Sequence, residues 1–120
     1  MFIERRAYPR AYLDYSVDVC FDLRIFSVYS ELVNISAGGM RVIIEEKVDV
    51  ATPVTIKLTP PGADPIQCKG EVVWFNERLL KGMKRIVFDT GIKFTEIKQI
   101  DKERIRNAVD ASIITGNSSS

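Results

Sequence analysis

The chain has no histidine and only two cysteines in 120 residues, and each scarcity removes a class of chemistry. Without imidazole, the commonest general base and metal ligand is missing. Cys20 and Cys68 are too distant in sequence for a CxxC redox pair or zinc knuckle. They supply at most half of a structural zinc site and read as buried thiols. No apolar run approaches the ~20 residues needed to span a bilayer. The opening MFIERRAYPR has no apolar stretch behind its charges, so no secretory signal is expected and the expected compartment is a reducing cytoplasm. Charge of one sign is also lacking: 17 Lys and Arg face 16 Asp and Glu, for a formal net charge of +1. Proteins that grip long nucleic acids by counterion release usually show a marked basic excess, so that class is disfavoured. There is no Ser–His or Cys–His pair, no GxSxG elbow and no Walker-type phosphate loop, so nucleophilic and P-loop chemistry lack their parts. Glu45 and Glu46 are adjacent on a strand and point to opposite faces, which is wrong for cooperating carboxylates. No enzyme is expected, and no cofactor or metal.

What is present is a 46% hydrophobic chain of a length that folds as one domain without staples. From Ser16, Val17, Val19, Phe21, Leu23 and Ile25 alternate with Asp18, Cys20, Asp22 and Arg24, the pattern of a half-buried antiparallel strand. The apolar run Val28 to Ile35 stops at Ser36-Ala37-Gly38-Gly39, and Met40 to Ile44 resumes it, which reads as strand, tight turn, strand. Val54 to Leu58 alternates again before the proline-rich loop 60–65. Two further strands, Gln67 to Phe75 and Arg85 to Phe94, are expected on either side of a flexible connection from Asn76 to Lys84. After them Ile97, Ile100, Ile105, Ala108, Val109 and Ile113 recur at helical spacing. The expectation is a mainly-β domain, a small antiparallel barrel or sandwich of about six strands with one C-terminal helix, since such strands must hide their edges. Its bounds would be a flexible N-terminal arm over 1–15, the strands and helix over 16–114, and a disordered tail over 115–120.

Two clusters can carry chemistry. Arg5, Arg6 and Arg10 place three of the nine arginines in six positions ahead of the first strand. Pro9 disfavours a regular helix there, and an extended Arg6-to-Arg10 span of roughly 13 Å lets two guanidiniums reach a ligand from separate points. The planar fork suits phosphate and the O6/N7 edge of guanine. A solvated basic tail explains the same residues on charge alone. The second cluster is Asn34-Ile-Ser36-Ala-Gly38-Gly39. Asn34 and Ser36 can project to one side while Ile35 turns inward, and the glycines permit positive φ and close backbone approach. An ordinary Asx-containing hairpin turn explains it equally.

Taken together, Arg6-x-x-x-Arg10 and Asn34-x-Ser36-x-x-Gly39 resemble the RxxxR and [D/N]xSxxG signatures of the PilZ domain, a bacterial receptor module for cyclic di-GMP. Gly39-Met-Arg-Val, Gly70-Glu-Val-Val-Trp74 and Gly91-Ile-Lys-Phe94 resemble later family strands. The resemblance implies a six-stranded antiparallel barrel with a terminal helix, and a mobile arm that folds over the ligand. It also implies ligand contacts at Arg6, Arg10, Asn34 and Ser36, with Gly39 permitting the close turn. Arg5 by the same resemblance implies an intercalated ligand dimer. Trp74 is the lone tryptophan and either stacks on a purine or fills the rim of the fold. The expected partners are cyclic di-GMP and a separate downstream protein. The alternatives are a ligand-independent PilZ-like adaptor and a small-barrel binder of single-stranded nucleic acid. Residues 1–10 carry a net charge of +2 and the remaining 110 carry −1, so the positive charge is concentrated in the arm.

Overall fold

The computed structural model describes residues 11–27, 33–80, 82 and 84–118. Its strands are β1 (Ala11–Leu13), β2 (Ser16–Phe21), β3 (Arg24–Ser27), β4 (Val33–Ser36), β5 (Gly39–Ile44), β6 (Pro53–Thr59), β7 (Ile66–Leu80) and β8 (Arg85–Glu96), followed by the helix α1 (Gln99–Ser118). The period-two pattern decides which face each strand buries. On β6, Val54, Ile56 and Leu58 enter the core while Thr55 and Lys57 stay in solvent. Ile35, Met40, Ile44, Val72 and Ile66 add to that core from β4, β5 and β7. β1 occupies residues 11–13 of the segment read as an arm, and α1 takes in residues 115–118 of the segment read as a tail.

The expected six-stranded closed barrel is not what forms. Eight strands make one antiparallel sheet in the order β1-β4-β5-β8-β7-β6-β2-β3, and no ladder joins β1 to β3 among the described residues. The sheet curls enough for Arg24, on the β3 edge, to reach Glu46 just beyond β5 at 3.1 Å. Backbone closure does not follow, because the two edge strands have only 3 and 4 residues, and α1 packs against β1 and β4. A helix covers that edge in place of a closing ladder. α1 does so with Ile105 and Val109, both buried, and Arg104 Nη2 ties it to the Asp64 carbonyl in the loop after β6 at 2.7 Å. Ile100, expected on the apolar stripe, is 62% exposed.

Two local expectations also change. The alternation through Ile25 is not one strand: Asp22 and Leu23 adopt φ of 52° and 61°, the paired left-handed conformation of a two-residue hairpin turn. Phe21 then faces Arg24 and Val19 faces Phe26. Phe26 therefore takes the inward position, stacked on Phe21 with ring centroids 5.0 Å apart. Ile25 is left 69% exposed. The second change is at Asn76 to Lys84, where a flexible connection was expected. Asn76 to Leu80 instead pairs with Arg85 to Asp89, so β7 and β8 form a long ribbon. Cross-strand contacts hold it where composition is polar: Phe75 meets Phe88 edge-on at 6.3 Å and Leu79 lies opposite Ile86. Among the described residues no helix is long and apolar enough to cross a membrane.

Candidate functional site

The hairpin between β4 and β5 is bound from several sides. Ser36 is buried, and its hydroxyl accepts from the Gly38 N–H at 3.2 Å and donates to the Gly39 carbonyl at 3.3 Å. Phe94 N–H donates to the Gly38 carbonyl at 3.0 Å, fastening the turn to β8. Gly39 is not among the glycines with positive φ. Its need is for close approach, since a Cβ there would overlap the Ile92 carbonyl oxygen. Of the two freedoms expected of this glycine, the structure uses the second.

Register carries Asn34 into a row across five strands. Tyr12 opposes Asn34, Asn34 opposes Arg41, Arg41 opposes Gly91, and Gly91 opposes Trp74. Directly opposed residues of an antiparallel pair share a face, so all five lie on one side of the sheet while Ile35 and Met40 lie in the core. The far end of the row depends on a bulge. A register shift between Val72 and Trp74 adds one residue and re-aims the tryptophan. The indole lies across Gly91, where a Cβ would overlap its pyrrole ring, and it remains 38% exposed.

Arg41 occupies the middle of the row and is gripped by Asp89. Arg41 Nε donates to Asp89 Oδ1 at 2.7 Å and Nη2 to Oδ2 at 2.5 Å. Arg78 Nη1 lies 3.8 Å from the same Oδ2. The Asp89 side chain is only 7% exposed while that of Arg41 is 41% exposed, so the carboxylate is the inner member and the guanidinium the outer one. Hydrogen bonding to Asp89 raises the Arg41 pKa above its ordinary value, holding it cationic. Tyr12, Asn34, Arg41, Val42, Ile43, Arg78 and Asp89 line a cleft of about 160 Å³. Two larger clefts, of about 520 and 660 Å³, share Thr55, Lys69, Thr95 and Glu96 and contain none of the expected ligand residues.

Arg5, Arg6 and Arg10 lie outside the described residues. Arg10 is nonetheless bonded to Ala11, which pairs with Ile35, so the arm joins the sheet between Asn34 and Ser36. The structure thus brings Asn34 and Trp74 onto one face, while the Ser36 hydroxyl and Gly39 serve the hairpin beside it. Sequence reasoning missed Tyr12, Arg41, Arg78, Asp89 and Gly91. Arg41 was findable: a turn at Ala37-Gly38 sets Asn34 opposite Arg41. Asp89 was not, because its partner is 48 residues away. Glu45 and Glu46 do diverge, to Arg85 and Arg24. Both cysteines are free thiols, and burial pushes Cys68 up to about 12. Among the described residues no group of three or more His, Cys, Asp and Glu could hold a metal ion.

The family model described as the PilZ domain matches residues 4–111. The chain belongs to the PilZ domain family. PilZ domains are non-catalytic receptor or adaptor modules, so this chain is a binding module and not an enzyme. No curated protein matches it in sequence. Among solved structures, it is similar to the Bacillus subtilis inhibitor of motility MotI/DgrA, with TM-score 0.77 and 17% identity over 94% of this chain and 53% of that one. It is also similar to the PilZ domain, with c-di-GMP, of YcgR from Escherichia coli, with TM-score 0.69 and 14% identity over 97% of each chain. A third is the K. pneumonia MrkH–c-di-GMP complex, with TM-score 0.74 and 15% identity over 98% of this chain and 57% of that one. This PilZ chain therefore spans about half the length of MotI/DgrA and MrkH. At such identities the likeness establishes the fold.

Proposed function

We propose that this PilZ domain is a cytoplasmic receptor for cyclic di-GMP whose N-terminal arm orders on the ligand and so presents a new surface to a separate protein. The observation that carries it is that Asn34 and Trp74 share one face of the sheet, with Arg41 and Gly91 between them, beside the residue where the arginine-bearing arm joins the sheet. The cleft on that face, about 160 Å³, is well below the ~300–1,000 Å³ of a pocket that encloses a drug-sized ligand. A dinucleotide would rest on the face and need a cover. The arm supplies one: its net charge of +2 is self-repelling when free and is neutralised by two phosphates. In this assignment Arg6 and Arg10 hold phosphates and guanine edges, Asn34 hydrogen-bonds a guanine, and Trp74 offers a stacking surface. Ser36 and Gly39 keep the β4–β5 turn in place beneath the ligand, and Arg5 favours an intercalated pair of ligands. Similar structures with c-di-GMP bound, those of YcgR and MrkH, support the choice of ligand. Isothermal titration with cyclic di-GMP is expected to give saturable binding with two ligands per domain, abolished by Arg10→Ala. No detectable heat at high micromolar ligand overturns the receptor assignment.

A further inference from the structure

We propose that Arg41, positioned by Asp89, is a specificity residue of this face that reads the O6/N7 edge of a purine and selects guanine over adenine. This deepens the receptor assignment and rests on it. A guanidinium has five N–H donors. Two of Arg41's are taken by Asp89, at 2.7 and 2.5 Å, and no other partner holds the rest among the described residues. Those donors belong to the outer, 41% exposed member of the pair, which lines the cleft with Asn34 and Tyr12.

Position on the sheet favours a base edge as the target. Arg41 and Trp74 flank Gly91 on the same face, so they stand two strand spacings apart, roughly 10 Å between backbones. The indole already lies across Gly91, into that gap. A purine stacked on the indole would present its rim to the guanidinium. Guanine offers two acceptors there, O6 and N7, which match a planar pair of donors. Adenine offers N7 and an N6 amine whose hydrogens oppose a donor. Asp89 makes the reading sharp by fixing the plane of the fork, since a long side chain left to itself samples many rotamers. Arg78, 3.8 Å from Asp89, leaves the three-residue cluster with a net positive charge, so the buried carboxylate does not repel an anionic ligand.

The test is titration of the full chain with cyclic di-GMP and, separately, cyclic di-AMP. The wild type is expected to prefer the guanine ligand. Arg41→Lys keeps the charge and loses the fork. It is expected to weaken cyclic di-GMP binding about tenfold and to narrow the guanine preference by the same factor, the size of one bidentate base contact. Asp89→Asn keeps the shape of its side chain and is expected to narrow the preference in the same direction, which covers a failure of the lysine variant to fold. A purely structural role would change the melting temperature and leave the preference alone. If either folded variant holds affinity and preference within twofold of the wild type, the specificity role is overturned while the receptor assignment stands. Failure of the wild type to bind either ligand overturns both.

Discussion

Two hairpins of this sheet have two-residue turns and opposite characters. The β4–β5 turn, at Ala37 and Gly38, is stitched by the Ser36 hydroxyl, by Phe94 N–H and by the packing of Gly39 on Ile92. The β2–β3 turn, at Asp22 and Leu23, projects outward, with Leu23 99% exposed and both φ values positive. The first lies beside the face that carries Asn34 and Trp74, and the second is toward the opposite end of the sheet. The difference shows where conformational definition is concentrated: beside the site, the turn is tied from within by the Ser36 hydroxyl and from β8 by Phe94 N–H. At the other end of the sheet, the turn keeps two non-glycine residues in a conformation that L-amino acids favour little.

Substitutions at the two turns sharpen the contrast. Gly39→Ala is expected to be the most damaging, because the new Cβ meets a backbone carbonyl that cannot swing aside. A loss of about 3 kcal/mol is the scale of such overpacking, visible as a lowered midpoint in chemical denaturation of the ligand-free protein. A midpoint near wild type would mean that β5 and β8 can separate at little cost. Ser36→Ala comes next. It removes the acceptor of the Gly38 N–H and should cost about 1–2 kcal/mol with no ligand present. Were ligand affinity to drop with unchanged stability, Ser36 would be a direct contact and the turn would owe it little. Leu23→Gly is the smallest effect and has the opposite sign. Relief of a left-handed leucine, about 1–2 kcal/mol, outweighs glycine's extra unfolded entropy, leaving a gain of about 0.5–1 kcal/mol. Thermal melts that show destabilisation there would erase the distinction between the two hairpins.

Much of the architecture could be read from residue order. Val54-x-Ile56-x-Leu58 specified both a strand and its buried face, and the helical spacing of Ile105 and Val109 specified the face that α1 buries. Less visible were features that depend on a partner strand. The β2–β3 reversal looked like one alternating strand because nothing in Asp22-Leu23 marks a turn as strongly as Asn-Gly or Asp-Gly does. The β7–β8 ribbon looked like a loop because its polar residues are stabilised across the pair, as Arg78 is by Asp89. At the site, Asn34 was legible from a local motif. Gly91 became meaningful only once the indole of Trp74 was seen to lie over it.

The sequence by itself determined the family, the antiparallel strands with one closing helix, and the segregation of positive charge into the first ten residues. Periodicity, turn chemistry and charge are properties of near neighbours, and residue order is enough to state them. Tertiary structure alone decided that the sheet has eight strands and stays open, that Ser36 serves the turn, and that Arg41 is paired with Asp89 across 48 residues of chain. Those outcomes depend on register, because a single added residue, such as the bulge before Trp74, changes which side chains meet. Within a hairpin the turn fixes register, as at Ala37-Gly38, but between strands distant in sequence, such as β5 and β8, it is set by which faces pack together in the folded sheet.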